Sequence, residues 1–123
     1  MTVLYAEFKG REQFLSTPTP IPGLSLTIPE GADEMALIML NVPASYSVRA
    51  LGIGGSGWFG LSVDGTMLPA YATYTSPVPD SFGPSRMPAT LVVAVPMKLT
   101  NQTVVAYAQT CIIDSLASLT VII

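Results

Sequence analysis

The chain has no histidine, a single cysteine and few charges of either sign. Each shortage excludes a class of chemistry. A serine or cysteine nucleophile needs a neighbouring base, usually histidine, and none exists here. Metal sites want histidine, cysteine or clustered carboxylates. The acids are spread over Glu7, Glu12, Glu30, Asp33, Glu34, Asp64, Asp80 and Asp114. Asp33-Glu34, the adjacent pair, reads as a turn cap. Cys111 stands alone in an apolar run, so no disulfide forms within one chain, and a buried free thiol is the simplest reading. Lys9, Arg11, Arg49, Arg86 and Lys98 form no basic stripe, which leaves nucleic-acid binding without electrostatic support. Long hydrophobic runs are also missing. Met35 to Leu40 and Leu91 to Val95 stop far short of the about 20 apolar residues a spanning helix needs. The N-terminus has no basic start and no long apolar core, so it does not read as a signal peptide. The expectation is a soluble protein without membrane insertion, either cytoplasmic or exported by a route that needs no signal peptide. No cofactor is expected, and no enzymatic activity.

The sequence does have apolar residues in abundance. They are 50 % of 123 residues, while charged residues are only 11 %. An average soluble domain carries roughly 25 % charged residues. The length fits one domain, residues 1–123. A soluble oligomer with a neutral surface accounts for the missing charge. Proline and glycine recur too often for long helices. Short β-like runs alternate with turn residues instead. The pattern predicts strands near Val3–Phe8, Leu24–Ile28, Met35–Val42, Trp58–Val63, Tyr71–Tyr74, Thr90–Val95, Thr103–Cys111 and Leu116–Ile123. Turns are expected at Pro18-Thr19-Pro20, Pro29-Glu30-Gly31, Gly52 to Gly57, Pro77 to Pro84 and Thr100-Asn101-Gln102, with a tight hairpin at Asp64-Gly65. This is an all-β pattern, a sandwich or jelly roll. Met35 to Leu40 and Leu119 to Ile123 do not alternate apolar with polar, which implies strands covered on both faces. The apolar end Val121-Ile122-Ile123 is expected at a subunit interface.

Most motif readings are weak. Gly52-Ile53-Gly54-Gly55-Ser56-Gly57 lacks the Lys-Ser/Thr of a phosphate loop and reads as a flexible loop. Asn101-Gln102-Thr103 fits a glycosylation sequon, with no sign of a compartment that uses it. A two-carboxylate glycosidase is formally open, but no pair of acids stands out. Binding fits better. The run Tyr71 to Asp80, closing on Arg86-Met87-Pro88, gathers two tyrosines, several hydroxyls and one of five cations. Arg86 is either a solvated charge or a planar fork for vicinal hydroxyls. Trp58 is either a core anchor or a platform for the apolar face of a sugar. Asp114 is either a turn former or a paired ligand contact.

Four ordered stretches then carry a resemblance: Ile21-Pro22-Gly23-Leu24; Leu40-Asn41-Val42-Pro43 followed by Tyr46; Thr73-Tyr74-Thr75-Ser76 through Val78-Pro79 to Arg86-Met87-Pro88; and Ile113-Asp114-Ser115-Leu116-Ala117-Ser118-Leu119. The chain resembles the TNF-like, fucose-binding N-terminal domain of a two-domain Burkholderia lectin. That resemblance implies a TNF-like jelly roll assembling as a homotrimer, with sugar sites between neighbouring protomers. By position it implies sugar-binding roles for Tyr46, Trp58, Thr73, Tyr74, Ser81, Arg86, Asp114 and Ser115. Trp58 stands where the relative has a tyrosine, and the loop holding Ser81 and Phe82 is longer here. Tyr107 occupies the place of a second site arginine, seven positions before Asp114. Losing that charged donor costs a site ~1.5–3 kcal/mol. In the implied arrangement Arg86 and Asp114 bracket a fucosylated glycan. Thr73 and Ser115 add neutral hydrogen bonds, and Tyr46, Tyr74 and Trp58 form an aromatic wall. The rival readings are a structural or protein-binding trimer of the same fold, and a glycan-active enzyme.

Overall fold

A computed structural model describes residues 1–47, 56–75 and 86–123. They form an all-β fold of ten strands: β1 (Val3–Phe8), β2 (Glu12–Phe14), β3 (Thr19–Ile28), β4 (Met35–Tyr46), β5 (Ser56–Val63), β6 (Thr66–Thr75), β7 (Met87–Pro96), β8 (Gln102–Gln109), β9 (Cys111–Ile113) and β10 (Ala117–Ile122). All pairings are antiparallel. The first sheet has the order β1-β10-β4-β9-β2, with β7 on the other side of β4. The second has the order β3-β8-β5-β6. No helix occurs among the described residues, so none there is long and apolar enough to cross a membrane.

The two sheets close on one apolar core. Ala36, Ile38, Leu40 and Val42 of β4 face Phe59 and Leu61 of β5 and Val104, Ala106 and Ala108 of β8, all of them buried. Leu119 and Val121 of β10 complete the layer. Alternation along each strand puts these residues inside and their neighbours outside.

Uninterrupted apolar runs such as Met35 to Leu40 arise because the outer face of the first sheet is apolar too. Register aligns Tyr5, Thr120, Met39 and Val92 in one row, and Val3, Ile122, Leu37 and Ala94 in the next. Val3, Tyr5, Met35 and Val92 are each more than half exposed in the single chain.

The hairpin at Asp64-Gly65 is present. Both residues take positive φ, 51° and 81°, the signature of a two-residue turn that matches strand twist. Asp64 Oδ1 also accepts a hydrogen bond from the Thr103 amide at 2.8 Å. Four differences from the sequence reading have physical causes. Pro18-Thr19-Pro20 is not a turn: β3 starts at Thr19 and runs through two prolines, which an edge strand tolerates. The expected strand Thr103–Cys111 breaks at Thr110, whose φ is 61°, giving β8 and β9. Strand β2 was not expected at all; its three residues are held by pairing with β9. Of the expected loop Gly52 to Gly57, Ser56 and Gly57 instead begin β5, held by pairing with Thr75 and Tyr74, while 52–55 and the expected turn Pro77 to Pro84 lie outside the described residues.

Candidate functional site

The expected site residues fall into two groups on different sheets. The first group lies where β4 leaves β10 and takes up β9. There Ser45 pairs with Ile113 and Tyr46 with Ile112, which sets the turn after β9 beside the end of β4. Ser45 also pairs with Met87, which carries Arg86 to the same place from the other side of β4.

The geometry of this group is an arginine held in a fixed plane. Arg86 donates from both terminal nitrogens to Asp114, at 2.5 Å to Oδ1 and 2.9 Å to Oδ2. Its guanidinium carbon sits 4.7 Å from the centroid of the Tyr46 ring. The pair is accessible: half of the Arg86 side chain and about a quarter of Asp114 are exposed. The Arg86 hydrogen bond holds the Asp114 carboxyl below its usual range, and the same bond raises Arg86. Ser115 is anchored next to them, its hydroxyl donating to the Ala44 carbonyl at 3.1 Å. A bidentate pair stacked on an aromatic ring fixes the direction of the remaining guanidinium N–H groups. Those donors, the carboxylate and the ring edge form a surface suited to neutral hydroxyls.

The second group lies on the outer face of the other sheet. Trp58 of β5 pairs with Thr73 of β6 and with Gln109 of β8, so their side chains share one face. Thr73 is exposed and Trp58 half-buried. Tyr107 is on the same face opposite Gly60. Among the described residues, no hydrogen bond, ion pair or ring contact joins Trp58 or Thr73 to Tyr46, Arg86, Asp114 or Ser115.

Tyr74 is the exception. Strand alternation turns it inward between outward-facing Thr73 and Thr75, and it is only 6 % exposed. Its ring packs near Phe59, and its hydroxyl lies 2.9 Å from Ser47 Oγ. Ser47 also reaches the carbonyls of Ser56 at 2.8 Å and Thr110 at 3.1 Å. Tyr74 thus links β6 to the end of β4 through Ser47, and its ring packs inward in the single chain. Ser81 and Phe82 lie outside the described residues.

Sequence reading passed over Ser47 and named Tyr71 only as part of the run Tyr71 to Asp80. Ser47 carries no motif, and its hydrogen bonds reach across nine, 27 and 63 positions of the chain. No group of three or more potential metal-binding side chains occurs among the described residues. A groove of about 410 Å³ beside β2 and β9, lined by Phe14, Leu15, Thr110 and Cys111, contains none of the expected site residues.

Comparison with known proteins gives one finding. The family model described as Bc2l-C, N-terminal domain, matches residues 13–122 of this chain. The match spans all ten strands except β1 and the first residue of β2. It is a lectin-domain family. The curated proteins hold no match.

Proposed function

Because the chain belongs to the Bc2l-C N-terminal domain family, we propose that it is a non-catalytic lectin for fucosylated glycans, built as a TNF-like trimer. The observation that carries this reading is the Arg86–Asp114 pair stacked on Tyr46. Arg86 donates its free N–H groups to vicinal ring hydroxyls. Asp114 orients the arginine and accepts from a hydroxyl at its rim. Ser115, anchored on Ala44, adds a neutral contact.

The second half of the site, Trp58 and Thr73, comes from a neighbouring protomer. Two features support a shared site. The half-sites sit on separate sheets of one chain, with no hydrogen bond, ion pair or ring contact between them among the described residues. The apolar outer face of the β1-β10-β4-β7 layer gives a neighbouring protomer a surface to cover, and the Arg86 group borders that layer through β4 and β7. Contiguous apolar patches of this kind mark protein–protein contacts. Each site is shallow, so useful affinity comes from several sites engaging one glycosylated surface, a gain of roughly 10²–10⁴-fold where geometry permits.

Calorimetric titration with methyl α-L-fucoside, alongside the galactose and mannose equivalents, tests the reading. The expected result is fucose-selective binding near one sugar per protomer. Absence of heat with all three sugars, in protein shown to be folded, contradicts it. A structural trimer without sugar affinity is then the better account.

A further inference from the structure

We infer that the outer face of the β3-β8-β5-β6 sheet is an aromatic platform for the neutral sugar units that follow the terminal fucose of a glycan chain. This inference rests on the lectin reading and extends it along the sheet from Trp58, which the terminal-sugar site and the platform share.

The platform follows from register. Gly60 of β5 lies directly opposite Tyr71 of β6 on one side and Tyr107 of β8 on the other. Tyr107 in turn lies opposite Pro20 of β3. These residues form one row across the sheet, on the face away from the core. Trp58, two residues before Gly60 on the same face, fills the gap that glycine leaves. A Cβ built on Gly60 would overlap the indole at Cη2 and lie 2.8 Å from Cζ2 and 3.0 Å from Cζ3. Only glycine lets the six-membered ring come this close to the backbone at this point. The Trp58 and Tyr71 ring centroids are 6.1 Å apart, with planes 30° apart. Tyr71 is 59 % exposed, although nothing in the core requires an aromatic there.

The row therefore runs Tyr107, the Trp58 indole, Tyr71. Its ends are two strand spacings apart, about 10 Å, which is the reach of a disaccharide. The rows on either side, Gln109–Trp58–Thr73 and Val105–Ser62–Met67, contain no charged residue. A flat aromatic strip with a neutral rim suits the C–H faces of pyranose rings, with hydroxyls left for water, Thr73 and Gln109. It does not suit an anionic ligand. Tyr107 supplies ring surface at one end of this strip.

The test uses the full chain and its one tryptophan, Trp58, as a local reporter. Methyl α-L-fucoside and a neutral fucosylated tetrasaccharide are titrated by calorimetry and by tryptophan fluorescence, in wild type, Tyr71→Ala and Tyr71→Phe. In wild type the tetrasaccharide is expected to bind roughly tenfold tighter than the fucoside and to shift Trp58 emission further than the fucoside does. Tyr71→Ala should remove that gain and leave fucoside affinity unchanged, while Tyr71→Phe keeps it. A tetrasaccharide gain that survives Tyr71→Ala overturns the proposal, as does the absence of any gain in wild type. If Tyr71→Ala changes the sedimenting mass but not the tetrasaccharide gain, the face is a protein contact and the proposal falls. Absence of fucoside binding is a separate failure, that of the terminal-sugar reading. The platform is then decided by an unfucosylated neutral tetrasaccharide. A Trp58 emission shift that Tyr71→Ala abolishes supports it, and no shift in wild type overturns it.

Discussion

Replacing Arg86 by alanine should separate binding from stability. The Arg86–Asp114 pair is bidentate but half exposed on the arginine side, so its contribution to folding is about 0.2–1 kcal/mol. Stacking on Tyr46 at 4.7 Å adds about 0.5–1 kcal/mol at an exposed site. The fold should lose roughly 1–2 kcal/mol in all, a fall in Tm of about 4–8 °C for a domain of this size. The effect on sugar should be larger. Hydrogen bonds from a charged donor are worth about 1.5–3 kcal/mol each, so losing even one lowers affinity about ten- to a hundredfold. That takes a shallow monosaccharide site below calorimetric detection. The assay is fucoside calorimetry paired with thermal unfolding of the same samples. Unchanged fucoside affinity in a folded variant refutes the placement of Arg86 in the site. A stability loss well above 3 kcal/mol refutes the exposed-pair estimate and makes Arg86 a structural residue.

Three further outcomes follow from other parts of the molecule. Gly57→Ala drives a Cβ into the Tyr74 ring, reaching Cζ at 2.6 Å and the hydroxyl at 2.8 Å; overpacking of about 1–3 kcal/mol plus disturbance of the Ser47 bond, about 1 kcal/mol, should appear as a lower urea midpoint, and an unchanged midpoint contradicts this. The Cys111 thiol is buried and pushed up to about 12 by desolvation, so at pH 8 only about one molecule in 10⁴ is thiolate; a thiol reagent should label the native protein far more slowly than the urea-unfolded one. The Asp114 carboxyl is held below the ordinary range by Arg86. A depressed native value means that its contribution to stability and to binding is present above the ordinary aspartate value, about 3.9, and is lost as pH falls through the lower native one. Fucoside affinity should therefore hold at pH 4.5 and fall only in stronger acid, and a loss centred near pH 5 contradicts the pairing.

Local chemistry made some of this molecule legible from its residues. Asp64-Gly65 dictates its own hairpin, because few other pairs accept two positive φ angles in succession. Val3–Phe8 needs only its own composition to be recognised as a strand. The unbroken apolar run of Met35 to Leu40 was legible as a strand, and both of its faces are apolar, the outer one with Met35 exposed in the single chain. Features held by distant partners were not legible. β2, with one apolar residue in three, exists because β9 pairs with it. The break at Thr110 depends on its amide meeting Leu15, whose carbonyl is 2.8 Å away. The inward turn of Tyr74 depends on the register of β6 against β5. Arg86 and Asp114 meet across 28 positions, a separation no motif encodes; residue type left each with two readings, the resemblance joined them in one site, and the fold gives their geometry. The row of Tyr107, Gly60 and Tyr71 is a product of register between three strands, and nothing in any one strand announces it.

The central claim is a fucose site assembled from two neighbouring protomers, and subunit complementation tests it most directly. Arg86→Ala and Trp58→Ala are expressed separately and together, and fucoside binding is measured on each preparation at known oligomeric mass. Each variant alone should bind at least tenfold more weakly than wild type. Mixed assemblies contain interfaces in which an intact Arg86 of one chain faces an intact Trp58 of the next, so co-expression should restore wild-type affinity at a fraction of the sites. No recovery in verified mixed assemblies, or full fucoside affinity in a verified monomer, contradicts the shared site.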